Sequence, residues 1–195
     1  EEEPQEPQQD LAEVRRAEVE REHHRIGMTE VRVPKPDISN TQIRKGRKAG
    51  KELFFIAPGY EVFMRAVGQG EHWTVVDEAE RAKIGWESRT DGYWIWAEVV
   101  PACPRLGTSQ ATLVTNLAAE GKQLLSLEEF VRVWWFTRGT GVILDRNTFS
   151  WLRTTYKAVA GLGALHAYVW HGRVYVHGYE PEHLSVAYDN RGGRA

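Results

Sequence analysis

Residues 165–177, LHAYVWHGRVYVH, alternate between two kinds of side chain. With His171-Gly172 as a two-residue turn, Ala167, Val169, Val174 and Val176 fall on one face of a β-hairpin, and His166, Tyr168, Trp170, Arg173, Tyr175 and His177 on the other. The first face is an ordinary core face. The second is aromatic and basic, so it needs either a cover or a partner. Upstream, a compact unit begins at 52–67. HWTVVD, KIGWESR and YWIWAEVV then read as strands, with Asp91-Gly92 offering hairpin turn chemistry and Pro101 ending the series. PACPRLG reads as a linker.

After the linker the pattern turns helical. Ser109 caps a predicted helix to about Glu120, and Ser126 with Glu129 forms a capping box for a second helix that Gly139 stops. That second helix is apolar nearly all round (Phe130, Val131, Val133, Trp134, Trp135, Phe136), which requires a central or interfacial position. Val142–Leu144 reads as a short buried strand. Asp145 or Asn147 then caps a third predicted helix through Ala160. In it Phe149, Leu152, Tyr156 and Val159 share one face and Ser150, Arg153, Thr154 and Lys157 the opposite one, with Arg146 at its approach. LSVAY, at 184–188, is the last predicted strand.

The N-terminal stretch behaves differently. Residues 1–10 lack aromatic and β-branched side chains and are expected to be disordered until bound. Residues 11–25 are helix-prone with a thin stripe of Ala12, Val19 and Ile26 and a stop at Gly27. After the proline-broken 31–40, Ser39, Asn40 or Thr41 caps a short basic helix that Gly46 and Gly50 weaken. The expected fold class is α+β, in three segments: an acidic-then-basic extended arm over 1–51, a small Trp-rich antiparallel β unit over 52–104, and a helical unit with a β-hairpin over 105–195.

Composition sharpens this picture. At 195 residues and 42% hydrophobic content the chain has material for a real core. It has neither a run long enough to span a membrane as a helix nor a secretory leader pattern, so the expectation is a soluble protein, intracellular or within a nucleoprotein particle such as a virion. The lone Cys103 has no disulfide or metal-ligand partner by spacing and reads as a buried structural thiol. The net charge of -2 averages opposed segments: residues 1–30 carry a balance of -6, leaving +4 for the remainder. Seven cations (Arg32, Lys35, Arg44, Lys45, Arg47, Lys48, Lys51) face Asp37 alone within 32–51. Such asymmetry points to a polyanion or to self-complementary assembly.

NTFSWLRTTYKAVAGLGALHAYVWHGRVYVH resembles the second half of a winged helix-turn-helix DNA-binding domain, a recognition helix ending in Gly-Leu and followed by a β-hairpin wing. The resemblance implies that Ser150, Arg153, Thr154 and Lys157 face the major groove and that Arg173, at the wing tip, meets the backbone or minor groove. Tyr168, Trp170 and Tyr175 beside Arg173 suit base stacking, a subunit interface, or burial under another segment of the chain. His166 and His177, as cross-strand partners, suit either a shared metal or ordinary partial exposure. No metal or cofactor is expected. Phosphate-loop, dinucleotide, nucleophile-elbow and zinc-protease motifs are lacking. The reading is a non-enzymatic nucleic-acid-binding protein, DNA favoured over RNA. Its arm supplies backbone contacts through Arg44, Lys45, Arg47, Lys48 and Lys51, Arg146 binds nucleic acid at the approach to the predicted helix, the protein forms a homo-oligomer or assembly, and it does not engage a membrane. A self-assembling coat or filament subunit is the alternative, and an enzyme the third reading.

Overall fold

The computed structural model describes residues 9–59, 63, 67, 73–75, 81–87, 89–145 and 147–195. The chain is α+β. Two helices open it, α1 (Leu11–Arg25) and α2 (Asn40–Lys48), followed by β1 (Lys51–Ile56), β2 (Trp73–Val75), β3 (Ile84–Gly85) and β4 (Tyr93–Glu98). Next come α3 (Gln110–Ala119), α4 (Leu127–Thr137), β5 (Phe149–Ala158), β6 (Gly161–Trp170), β7 (Arg173–Tyr179) and β8 (Arg191–Gly193).

The caps fall where the side chains dictate. Asp10 accepts from the first-turn amides of α1, Ser39 and Gln42 close a capping box on α2, Ser109 caps α3, and Ser126 with Glu129 boxes α4. Helices form at 11–25 and 40–48 as expected, but residues 11–48 are packed down rather than an extended arm. Ala12, Val19, His23 and Ile43 are buried, and Asn40 Oδ1 accepts from Leu11 N to tie the two helices together. The thin stripe of α1 was enough because α1 needs to cover only β1 and the adjoining edge of the core.

The larger correction concerns 147–160. Residues 149–158 are strand β5, not a recognition helix. Phe149, Leu152, Tyr156 and Val159 satisfy a helical period, but the same segment reads Phe149, Trp151 on one side and Ser150, Leu152 on the other at a period of two, and it carries β-branched Thr154 and Thr155. Long-range pairing decided between the two periods. β5 runs antiparallel to β6, and its free edge is shared by β8 beside residues 149–151 and β3 beside 155–156. The six-stranded sheet has the order β2-β7-β6-β5-β3, with β8 attached to β5.

β1 and β4 form a separate two-stranded sheet, so Asp91-Gly92 does not join β3 to β4 as a hairpin. Residues 142–144 and 184–188 are not strands, although Leu144 is buried. One apolar cluster runs across the boundaries drawn at 51/52 and 104/105, joining Val19, Phe54, Ala97, Phe130, Leu152 and Val176. α4 lies inside it. Leu127, Phe130, Val131, Val133 and Trp134 are all buried, as an all-round apolar helix requires.

Charge is buried with the core. Arg194 and Asp145, both fully buried, pair at 2.6 Å, and Arg194 also donates to the carbonyls of Glu98 and Pro101. Asp145 Oδ2 accepts from Ser150 Oγ at 2.5 Å, and Cys103 Sγ lies 3.2 Å from that hydroxyl. The Cys103 thiol is pushed up to about 12 by burial and by the Asp145 charge. Asp145 also sits in the left-handed region at φ 49°, which Asn tolerates. Asp145→Asn therefore isolates the charge, and leaving Arg194 buried and unpaired should cost about 3 kcal/mol in urea unfolding. Adding Arg194→Met should recover much of that loss, and a single variant within 0.5 kcal/mol of the parent, roughly the scatter of neutral substitutions, would contradict this account.

Candidate nucleic-acid interface

The basic stretch owes its geometry to α2. Ile43 is fully buried beneath the helix, and Gly46 rests against the indole of Trp96, where a Cβ would collide with the ring. This pins the inner face and turns Arg44, Lys45, Arg47 and Lys48 outward, all at the surface. Arg47 is held by Glu52 at 2.9 Å. Arg44, Lys45 and Lys48 have no carboxylate within ion-pairing distance among the described residues. Lys51, half-buried, begins β1. Three or four positions separate Arg44 from Arg47 and Lys48, so these cations form a row along one side of the helix.

Beside this row lies a groove of about 540 Å³ between α2, β4 and the 121–125 loop. Trp96 and Leu125 lie within it, with Lys45, Lys51 and Lys122 from three different elements. Glu129 and Arg153 also line it, and these two are closed on each other. Arg153 forks onto Glu87 with two bonds of 2.9 Å, onto both oxygens of Glu129, and onto the carbonyl of Leu124 at 2.8 Å. Glu129 also accepts from Tyr93 Oη at 2.7 Å and from Ser126 N at 2.8 Å. Burial pushes the Glu129 carboxyl up, but Arg153 and the remaining donors outweigh it and hold the group below its ordinary value. Arg153 therefore has a structural role rather than the major-groove contact that the resemblance implied.

The other residues of that expected helix face are dispersed for the same reason, that the segment is a strand in a buried sheet. Ser150 is fully buried on Asp145, and Thr154 is buried with its Oγ1 accepting from Leu127 N at 2.8 Å. Lys157 is exposed. Arg146 lies outside the described residues.

The hairpin reading fares differently. β6 and β7 pair across His171-Gly172, with φ of 47° and 73° as a mirror-image turn requires, and Trp170 opposite Arg173. Ala167, Val169, Val174 and Val176 are buried in the main core. On the opposite face, Tyr168 stacks on Tyr175 (5.4 Å between centroids, 19°) and on His177 (5.6 Å, 16°), and Phe149 lies 4.7 Å from Tyr168. His166 continues this array towards Trp151 and Tyr179.

That end is covered. Trp151 is fully buried with Leu113 and Leu117 of α3, and Leu184 and Tyr188 pack alongside. Arg191 sits 3.8 Å from the Tyr188 ring centroid and donates to Tyr179 Oη at 2.6 Å. The hairpin end is open: Trp170 is 56% exposed and Arg173 is exposed. The 184–188 segment does help cover the face, but without forming a strand, whereas the Trp-rich helix α4 lies on the other side of the sheet. Phe149, Trp151 and Tyr179 belong to this array and were missed. The i, i+2 spacing of Phe149 and Trp151 was the signal for the first two. Among the described residues no group of three His, Cys, Asp or Glu side chains converges as a metal site, and no helix is long and apolar enough to cross a membrane.

The buried histidines make stability depend on pH. His166 is pushed down to about 2 by burial and then by the nearby Arg191 charge and His177. His23 is pushed down to about 4, again by burial, although its bond to the Val19 carbonyl opposes the shift. For both, the unfolded chain takes up a proton near pH 6.5 while the folded chain does not. Their contribution is therefore complete above that pH and is lost as pH falls towards the folded value. By pH 5 each should have cost about 2 kcal/mol, at about 1.4 kcal/mol per pH unit. His166→Phe should remove one such share, so that its urea midpoint falls less steeply than the parent's between pH 7 and 5. Parallel curves would refute the assignment. No protein family, curated protein or solved structure matches the chain.

Proposed function

We propose that this is a non-enzymatic nucleic-acid-binding protein whose contact surface is the outer row of α2, with the neighbouring groove as its continuation. The observation that carries the reading is a helix anchored by Ile43 and Gly46 that presents Arg44, Lys45 and Lys48 to solvent without carboxylate partners among the described residues. Most other cations near the core are already engaged: Arg105 by Glu98, Arg132 by Glu128, Arg153 by Glu87 and Glu129, and Arg194 by Asp145. A folded protein that neutralises its interior cations but leaves Arg44, Lys45 and Lys48 of one helix without carboxylate partners among the described residues has a surface suited to a phosphate backbone. Each phosphate met there releases condensed counterions, which gives sequence-independent, salt-dependent affinity. DNA is the preferred polymer in this reading.

A second reading, a subunit that assembles and packages nucleic acid without sequence preference, has its own support. At the hairpin tip Trp170, 56% exposed, and Ile143, 46% exposed, flank a groove of about 400 Å³. Exposed aromatics beside a groove are typical of contact surfaces between subunits.

Binding of a random 20-base-pair duplex, measured by fluorescence anisotropy across a salt series, tests the first reading. Arg44→Ala with Lys48→Ala should reduce the slope of log K against log salt by about 1.8, since each phosphate that is no longer neutralised removes roughly 0.9. An unchanged slope would sink it. Light scattering tests the second: the parent should form a multimer or filament that Trp170→Ser dissolves, and a monomeric parent at all concentrations rules that reading out.

A further inference from the structure

The groove beside α2 has features that backbone contact alone does not require. Its floor is apolar, from Ile95, Trp96 and Leu125, while the cations stand on three separate elements: Lys45 on α2, Lys51 at the start of β1 and Lys122 in the loop after α3. Only tertiary folding brings them together. Neither Lys45 nor Lys51 has an ion-pair partner among the described residues, whereas Lys122 is held by the exposed Glu120, a contact that an incoming dianion can replace. The buried Glu129 is fully occupied by Arg153, Tyr93 and Ser126, so it opposes an anion in the groove no further than Arg153 already compensates. Gln42 presents an amide to the same space, its oxygen already accepting from Ser39 and its nitrogen without a partner among the described residues, and Gln123 presents a second amide. The volume, about 540 Å³, suits a small organic molecule rather than a bare ion.

We infer that this groove is a binding site for a single nucleotide unit, with a planar base along the Trp96 floor and a phosphate among Lys45, Lys51 and Lys122. An indole and an apolar floor favour a flat aromatic ring, two amides can meet its polar edge, and three ammonium groups exceed what one carboxylate would need; they match the dianion of a free monophosphate most closely and the single charge of a strand's phosphodiester less so. The unit comes either as a free nucleoside monophosphate or as one residue of a single strand. The inference rests on the nucleic-acid reading only for its ligand class. It shares Lys45 with the outer row of α2 but uses neither Arg44 nor Lys48, drawing instead on Lys51, Lys122 and Trp96.

The test is calorimetric titration of the full chain with AMP, adenosine, inorganic phosphate and the pentanucleotide (dA)5. AMP should bind saturably at one per chain, with adenosine and phosphate each at least about tenfold weaker, because each supplies only one of the two contacts. Lys51→Ala and Lys122→Ala, at exposed or half-buried positions, should each weaken AMP about fivefold, as removal of one ammonium group from the phosphate predicts. Arg44→Ala with Lys48→Ala should leave AMP binding unchanged while lowering duplex affinity, so the two proposals fail separately. Trp96→Phe, which keeps a ring against Gly46, should weaken AMP less than Trp96→Leu. If (dA)5 displaces AMP with the same dependence on Lys51 and Lys122, the unit belongs to a strand. If (dA)5 binds without displacing AMP, the free nucleotide is the ligand. Absence of AMP binding, phosphate binding as tightly as AMP, or indifference to both lysine substitutions overturns the inference.

Discussion

The carboxylate of Glu129 is where the layers of the molecule meet. It is itself almost fully buried, in the first turn of a largely buried helix, so it must find its partners within the protein or remain protonated. It finds Ser126 in its own cap, Tyr93 on β4 and Arg153 on β5, and Arg153 in turn reaches Glu87 and the carbonyl of Leu124. To bring Arg153 there, β5 leaves its ladder with β6 between Trp151 and Thr155. In that gap Arg153 N donates to Leu125 O and Thr154 Oγ1 accepts from Leu127 N. The bulge and the ion network are therefore one feature. The strand breaks its register so that the buried helix can keep its capping residue.

The same requirement recurs along α4. Arg132, fully buried one turn on, donates to Glu128 and to the carbonyl of Ala57, and its Nη1 lies 3.3 Å from His23 Nε2. Since His23 Nδ1 donates to the Val19 carbonyl, Nε2 is the acceptor and the imidazole is neutral, in keeping with its depressed pKa. A buried helix with two internal charges thus fixes α1, β1, β4 and β5 around itself. Breaking any one pair would strand a charge in the core, which makes the arrangement specific even where its net contribution to stability is modest.

Against that interior the surface divides in two. Where carboxylates are at hand, cations are neutralised locally, as Arg47 is by Glu52; Arg44, Lys45 and Lys48 on the outer side of α2 have no such partner among the described residues, and their charge remains available to an external anion. The aromatic face of the hairpin shows the complementary pattern. α3 and the 184–188 segment seal the Trp151 and Tyr179 end, where His166 and Arg191 would otherwise be solvated, and leave Tyr168, Tyr175 and Trp170 more open towards the turn. The two surfaces differ in kind, one cationic and helical, the other aromatic and sheet-borne.

Much of this was legible in the residues. Caps at Ser39, Ser109 and Ser126, the central position of α4, the His171-Gly172 turn and the inward face of Ala167, Val169, Val174 and Val176 follow from local chemistry and short-range periodicity, which act within a few residues. What failed did so where a segment satisfied two periods at once. Residues 149–158 alternate and also repeat at helical spacing, and only pairing with β6, β3 and β8 chose the strand. Arg153 and Thr154 then passed from an expected exposed face into the core. Likewise the basic charge of 44–51 was plain from composition, yet its meeting with Trp96 and Lys122 was not, because contacts between elements some 45 to 75 positions apart leave no mark on local pattern. The chain's own chemistry determined which segments are helical caps, turns and apolar faces; the tertiary fold alone decided which cations are neutralised inside and which face outward, because neutralising a buried charge depends on partners that sequence distance conceals.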